Sequence, residues 1–422
     1  MRSEPNFIMP NATQLAGANE SATTTDEAIS FILRLGRALH TCGYASHRLE
    51  ELLEQAAERI GLQGQFFSTP TSIYCGFGEL ETQRTYLIRA EPGSLNLGKI
   101  VDLDQVLTEV LYHRLTPADG SRKIDEIVAA KSEYGAVLNT IACGLASVAS
   151  SQFLGGGVKE MIVAAIIGLM IGLLYLLADK YPPLGKVFEP VAATLASGIA
   201  AALSVYFGPY SVFNATLAGL ILLMPGFTLT TALTELTTRN LVSGTSRLSS
   251  ALIIFFGIGF GVTLGTKVSS LLFGLPQIGA SVSHLWWVEY VSLLLIPIAF
   301  AILLRAHLRD TVWIVLVVAL AVLASRGGGR ILGPELGPFI GALTVGLASK
   351  LYAQLLHRPT TVTLAPGILL LVPGSLGFRS IASLLDNQIV PGVGIAVQMI
   401  LTAMALVAGI LISNILLPVR RR

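Results

Sequence analysis

From Gly135 onward the chain repeats one pattern: apolar stretches long enough to cross a bilayer, separated by short polar interruptions. They cover residues 135–154, 161–178, 190–207, 211–236, 248–273, 285–304, 311–325, 336–356, 361–385 and 393–417. Lipid offers no water to a backbone N–H or C=O, so a spanning segment of this length has to be helical, and any non-helical stretch has to be covered by protein. The chain is 53% apolar and only 13% charged over 422 residues, with a mean hydropathy of +0.69, which excludes most soluble classes. The expected fold class is an α-helical polytopic membrane protein of about ten transmembrane helices, preceded by a small N-terminal α/β domain.

Charge is distributed unevenly along the chain. Residues 1–131 hold 12 Lys/Arg against 17 Asp/Glu, and the remainder holds 16 against 9. An acidic soluble part therefore precedes a basic membrane part. Residues 1–25 are polar and lack the basic segment and apolar core of a cleavable signal, so they are read as a disordered tail that stays in the cytosol. Residues 26–131 are read as a cytoplasmic α/β domain. Ile29, Leu33, Gly36 and Leu39 form one helical stripe, Gly43 breaks it, and Leu49, Leu52, Leu53, Ala56 and Ile60 form a second. The β-branched and aromatic runs Gln65–Tyr74 and Thr82–Ala90 predict a hairpin or paired strands, followed by helices from about Asn96 and after Pro117.

Candidate chemistry in this domain is sparse. His47 with Glu50 and Glu51 could place two metal ligands on one helical face, but no third ligand is evident and a charged solvent face explains them. Ser68, Thr69, Thr71 and Ser72 flank Pro70 without a nucleophile elbow and read as strand and turn residues. Cys42, Cys75 and Cys143 are too few for a full set of disulfides and lack zinc-site spacing; a reducing cytosolic side suits the first two. No metal, cofactor or nucleic-acid partner is expected.

Ten crossings from a cytosolic N-terminus return the C-terminus to the cytosol, where Arg420, Arg421 and Arg422 obey the positive-inside rule. Lys180, Lys186, Arg239, Arg247, Arg305, Arg309 and Arg358 fall on the same side. Lys159, Lys267, Arg326 and Arg330 fall outside, with Arg326–Arg330 and its three glycines read as the loop that dissents. Lys350 and Arg379 lie within spans. Trp286 and Trp287 are assigned to an interfacial aromatic belt.

An internal repeat divides the membrane part. Placing residue n over n+148 aligns Pro190 with Pro338, Gly198 with Gly346, Gly219 with Gly367, Pro225-Gly226 with Pro373-Gly374, Gly244 with Gly392 and Gly261 with Gly409, without a gap. The third span maps onto the eighth, five crossings away, and an odd number of crossings inverts orientation. Residues 132–280 and 281–422 are therefore expected to be inverted five-helix repeats, an architecture of secondary transporters. Each repeat carries Pro-Gly in mid-span, where proline removes an amide donor and glycine permits a non-helical backbone. Two opposed breaks predict a central cavity with half-helix N-termini at Phe227 and Ser375 able to hold a carboxylate; packing kinks are the plain alternative.

The motifs in their order resemble those of the threonine/serine exporter family over nearly the whole chain from Ser30. They are Leu35-Gly36-Arg37-Ala38-Leu39, Gly43-Tyr44, His47-Arg48-Leu49-Glu50-Glu51, Phe67-Ser68-Thr69-Pro70-Thr71, Met224-Pro225-Gly226-Phe227-Thr228-Leu229-Thr230 running on to Glu235-Leu236, Ser243-Gly244-Thr245-Ser246-Arg247-Leu248, Pro366-Gly367 and Val372-Pro373-Gly374-Ser375. The resemblance implies ten transmembrane helices, a cytoplasmic N-terminal domain and export of threonine and serine driven by the proton motive force. Related two-component members are associated with dicarboxylate efflux.

A zwitterionic substrate needs an anchor for its carboxylate, one for its ammonium and a titrating group for coupling. The expected binding set is Pro225, Gly226, Phe227, Thr228, Thr230, Thr231, Pro373, Gly374, Ser375 and Arg379. Arg379 is the candidate carboxylate anchor, or else snorkels or pairs with Asp386. Thr228, Thr230, Thr231 and Thr234 offer hydroxyls, or else bond back to their own helix. Glu235 could meet the ammonium or carry the proton, or else sit at a helix end near Arg239; Asp386, Glu189 and Glu335 are the other proton-coupling candidates. The expectation is a proton-coupled exporter of threonine, serine or similar small amino acids in a bacterial inner membrane, its partners being substrate, protons, lipid and a possible second copy. A dicarboxylate exporter and a membrane sensor or enzyme are the alternatives.

Overall fold

The structure is a computed structural model that describes residues 12–91, 93–277, 279, 286–333 and 335–418. The three terminal arginines and the first 11 residues of the expected tail lie outside that range. The chain divides into two compact units, Met1–Ser94 with Lys99–Lys131, and Leu95–Gly98 with Ser132–Arg422.

The first unit contains α1 (Ala12–Thr41), α2 (Ser46–Ile60), β1 (Gly64–Thr69), β2 (Ser72–Phe77), β3 (Arg84–Arg89), most of α3 (Leu97–Leu111) and α4 (Pro117–Ala129). Helix α1 starts well inside the stretch read as a tail. It stops where Gly43 takes φ 78°, and α2 is closed by Gly61 at φ 84°. Thr116 caps α4, its hydroxyl accepting the Asp119 N–H at 3.1 Å, with Pro117 in the first turn where its missing donor costs nothing. The run Gln65–Tyr74, expected as one strand, is two. Pro70 cannot donate to a ladder, so the chain turns at Pro70–Thr71, and β1 pairs antiparallel with β2, which pairs antiparallel with β3. Alternation along β2 turns Ile73, Cys75 and Phe77 inward. Glu50 accepts the Ser68 N–H at 2.6 Å and so ties α2 to the sheet. Among the described residues no group of three or more His, Cys, Asp or Glu side chains could hold a metal ion.

The second unit is built from α5 (Ala136–Phe153), α6 (Val158–Lys180), the short α7 (Pro182–Gly185), α8 (Phe188–Phe207), α9 (Val212–Gly219), α10 (Gly226–Thr237), α11 (Leu241–Phe273), α12 (Trp286–Leu303), α13 (Leu308–Leu332), α14 (Gly337–Leu356), α15 (Thr361–Leu371), α16 (Gly374–Leu385) and α17 (Ile389–Leu416). Each of the ten expected stretches falls mainly on helix among the described residues, residue 285 lying outside them. Among the described residues eight helices are long and apolar enough to cross a membrane, or nine if the bent pair Val212–Gly219 and Ile221–Thr237 is one span; the apolar part of α12, Trp287–Leu303, is shorter.

One loop is corrected. Arg326–Arg330, read as an external connection, is the end of α13: the helix continues through three glycines to Leu332. Arg326 is held there by an ion pair with Glu289 and by the Phe153 ring, 5.7 Å from its guanidinium carbon. A lysine is treated similarly: buried Lys350 donates to the Ser413 carbonyl at 2.5 Å, placing its charge near the C-terminal, negative end of α17.

Helices inside lipid gain little from hydrophobic burial against each other and depend on close contact between small residues. The α8–α11 and α14–α17 pairs do this at matching places. A Cβ on Gly261 would collide with the Pro190 carbonyl, and one on Gly409 would lie 2.6 Å from the Phe339 carbonyl. Two outcomes check this account. Gly261→Ala should destabilise the detergent-solubilised protein by about 1–3 kcal/mol, whereas Gly327→Ala, where nothing lies within 4 Å, should be neutral or slightly stabilising; thermal unfolding compares them. Burial pushes the Cys75 thiol up to about 12, and all three thiols are buried. At about pH 8 native protein should therefore resist alkylation, with mass spectrometry detecting modification only after denaturation.

Candidate functional site

The two Pro-Gly sequences produce the same local structure. A residue before proline is pushed out of the helical region: Met224 is extended at φ −71°, ψ 125° and Val372 at φ −66°, ψ 144°. Each proline then caps a new helix, Pro225 at φ −79°, ψ 35° and Pro373 at φ −82°, ψ 39°, and α10 and α16 both run for 12 residues. The first broken span is bent by 52° between Val212–Gly219 and Ile221–Thr237, that is at Leu220 and ahead of the Pro-Gly, while the second span is interrupted without a bend of that size. Both half-helices finish alike, with Arg239 at φ 68° and Asn387 at φ 59°.

The breaks meet each other. A Cβ placed on Gly226 would lie 2.9 Å from the Gly374 nitrogen and 2.9 Å from a Val372 methyl; one placed on Gly374 would lie 3.1 Å from the Met224 Cβ and 3.6 Å from the Gly226 nitrogen. The contact is reciprocal, because Met224 and Val372 stand one offset of 148 apart, as the glycines do. Neither glycine has a positive φ. The requirement for glycine is thus close approach of two backbones rather than the permissive dihedrals expected from the sequence. In α10 the first intrahelical bond is Leu229 N–H to Pro225 O, and in α16 it is Gly377 N–H to Pro373 O. The amides of Gly226, Phe227, Thr228, Gly374, Ser375 and Leu376 precede those bonds, so two positive helix ends converge on one point.

Packing fixes the four helices around that point. Leu229, Ala251, Phe255, Ile381 and Met399, from α10, α11, α16 and α17, form one buried cluster. Phe227 packs into the core of the second half with Val317, Ala342 and Leu406, while Phe378 packs into that of the first half and stacks on Phe213 at 5.4 Å. Each half-helix is therefore anchored in the opposite repeat.

The polar candidates separate into groups. Thr230 donates its hydroxyl to the Gly226 carbonyl at 3.1 Å and Thr234 to the Thr230 carbonyl at 2.9 Å, so both bond back along their own helix. Thr228, Thr231 and Ser375 are half-buried, and among the described residues their side chains have no hydrogen bond. Arg379 is half-buried with its Nε fully enclosed and without a hydrogen-bond partner among the described residues, and no ion pair joins it to Asp386. Asp386 is exposed at the end of α16. Glu189 lies half-buried in the first turn of α8, and Glu335 is exposed two residues before α14.

Glu235 is 0% exposed, with its two oxygens 3.2 and 3.0 Å from the Arg247 Nε on α11. Arg247 as its partner, 12 residues on, escaped sequence reading, which set Glu235 beside Arg239. Two other buried carboxylates also escaped it. Glu160 and Asp310 each stand three residues after a helix cap, Gly157 and His307.

Comparison with known proteins assigns the fold to a lineage. A family model for threonine/serine exporters matches residues 30–269, and a second, described as Threonine/Serine exporter, ThrE, matches residues 289–416. Curated relatives include pheromone-regulated membrane protein 10 of Candida albicans, 26% identical over 364 residues that cover 83% of this chain and 33% of that protein. The Debaryomyces hansenii protein of that name is 27% identical over 369 residues, with 83% and 36% covered. That of Eremothecium gossypii is 27% identical over 363 residues, with 83% and 48% covered. The chain thus spans between a third and a half of the length of these relatives. No solved structure matches it. Matched over residues 30–269 and 289–416, this multi-pass membrane protein belongs to the threonine/serine exporter family.

Proposed function

We propose that this protein is a secondary transporter that exports small amino acids of the threonine/serine type, coupled to proton influx, with its two halves as inverted five-helix repeats and its termini in the cytosol. The observation that carries the reading is the convergence of two half-helix N-termini at Gly226 and Gly374. Uncommitted amides of two first turns suit a carboxylate, whose charge the helix dipoles favour. Arg379, with an enclosed Nε lacking a partner among the described residues, supplies a charged donor one and a half turns along α16. Thr228 and Thr231 supply hydroxyl groups on α10 for the polar side chain of threonine or serine. A dicarboxylate would require a second free cation, and the other half-buried arginine of these four helices, Arg247, is held by Glu235.

With the two glycines in backbone contact, a carboxylate reaches the first-turn amides only when the breaks part. Alternating access then amounts to separation and re-closure of α10 and α16, each carrying the opposite repeat through Phe227 or Phe378. Glu235 is the coupling candidate on α10: protonation removes its attraction for Arg247 and frees α10 from α11. Glycine substitutions cannot test the site, because any Cβ at Gly226 or Gly374 obstructs the packing whether or not substrate binds there.

Proteoliposomes loaded with labelled threonine, serine or succinate, with and without a pH gradient, provide the test. Arg379→Lys should cut amino-acid efflux about tenfold or more, since an ammonium loses the planar fork of donors. Undiminished efflux would remove Arg379 from the site, and succinate efflux exceeding that of threonine would overturn the substrate class. For coupling, Glu235→Gln should retain exchange at equal pH yet lose efflux driven by the proton gradient, and the double variant with Arg247→Gln guards against the cost of a bare buried cation. Proton-driven efflux that survives in both variants would exclude the pair from coupling.

A further inference from the structure

Asp310, in the first turn of α13, is 1% exposed. Its Oδ1 accepts the Tyr352 hydroxyl of α14 at 2.9 Å and pairs with the Arg358 guanidinium in the α14–α15 connection. Trp313 closes over the cluster, edge-on to Tyr352 at 5.9 Å. The second oxygen, Oδ2, is enclosed and has no hydrogen-bond partner among the described residues. A buried carboxylate oxygen without a donor loses much of its hydration and gains nothing in return, unless a proton or a donor is supplied at some stage. Other titratable or charged groups nearby are the Tyr134 hydroxyl, which feels the Asp310 charge, and the His307–Glu133 pair at the helix cap.

A carboxylate at the comparable helix position in the first half, two residues out of the 148-residue register, is built differently. Glu160, in the first turn of α6, accepts the Gly157 N–H at 2.9 Å through one oxygen and the Ser211 N–H at 2.9 Å through the other. Ser211 is the cap of α9, and Arg358 stands two residues before the cap of α15. Each carboxylate therefore grips the residue or segment that leads into a broken span. Glu160 does so through backbone amides on both oxygens. Asp310 does so through an ion pair on one oxygen, with the other enclosed and unpartnered among the described residues, and the Arg358 side chain is 16% exposed.

We propose that Asp310 Oδ2 is a proton-binding site and that the Asp310–Arg358 pair is a latch on the second broken span, α15–α16, released by protonation. The added proton resides on Oδ2, the carboxyl becomes neutral, Oδ1 keeps the Tyr352 hydrogen bond, and Arg358 loses its counter-charge and turns to solvent. The connection from His357 to Thr360 is then untied from α13, and the span that ends at the Gly226–Gly374 contact can move. Since a proton is bound, the latch opens as pH falls. Only the purpose of the latch rests on the transport reading; its existence does not.

Amide hydrogen exchange on the full chain in phospholipid nanodiscs tests it, read over residues 357–364 and corrected for the intrinsic pH dependence of exchange. In the natural protein, exchange there should rise about tenfold or more as pH is lowered from neutrality into the range where carboxylates bind protons. Asp310→Asn and Arg358→Gln should both exchange fast at every pH, the second serving if the first fails to fold. Tyr352→Phe, which leaves the ion pair in place, should keep the pH step. A natural protein without that step, or variants at Asp310 and Arg358 that retain it, would overturn the latch. Because no substrate is required, a pH-released latch in a protein that moves no amino acid would count against the transport reading alone.

Discussion

Everything in the membrane unit depends on one contact, the backbone-to-backbone meeting of Gly226 and Gly374. Breaking a helix inside lipid strands amide groups that water cannot reach, so a break is stable only where protein covers it. Here each break covers the other. That arrangement dictates the neighbours: the half-helices α10 and α16 must approach end to end, glycine is the residue that allows the approach, and the aromatic residues beside them must anchor outward, Phe227 into one half and Phe378 into the other. Both breaks are consequently coupled mechanically, since neither can shift without uncovering the amides of its partner.

Around this centre the buried charges hold connections rather than cores. Glu160 ties the start of α6 to the cap of α9, Asp310 ties the start of α13 to the segment before α15, and Glu235 ties α10 to α11. Removing one member of such a pair leaves the other charge buried and unsatisfied, a cost of about 3–5 kcal/mol. These ties differ in how they can be undone. An amide held by a carboxylate has no second charge to lose, whereas a guanidinium held by a carboxylate is released by a single proton. The chain places the releasable kind on α10 and before α15, the two elements that flank the glycine contact on opposite sides.

The scaffold was legible from the sequence because its causes are local. Apolar length fixed the ten helical stretches, and proline fixed both breaks through the residue before it. The 148-residue offset predicted which glycines would correspond, and it recurs in the reciprocal contacts of Met224 and Val372. The loop at Arg326–Arg330 was misread because three consecutive glycines signal a turn in water, while in a membrane helix the backbone has no better partner than itself. Pro70 split an expected strand for the opposite reason: on a small sheet the ladder depends on a donor that proline lacks. Long-range polar pairing was illegible. Nothing local to Glu235 selects Arg247 over Arg239, and nothing local to Asp310 points to Arg358, 48 residues on.

If the repeats had remained identical, the centre would have two copies of the same chemistry and could not orient the zwitterionic substrate proposed for it. The departures from the repeat are therefore more informative than its agreements. At the offset of 148, Arg379 stands opposite Thr231 and Glu235 opposite Ser383. Cation and hydroxyl, carboxylate and hydroxyl, have been distributed so that α16 holds the positive group and α10 the negative one. Glycine and proline are retained in both copies because the contact between breaks needs them twice. The charged residues differ between the copies, one cation on α16 and one carboxylate on α10, which is the asymmetry that the proposed substrate, with one carboxylate and one ammonium, would require.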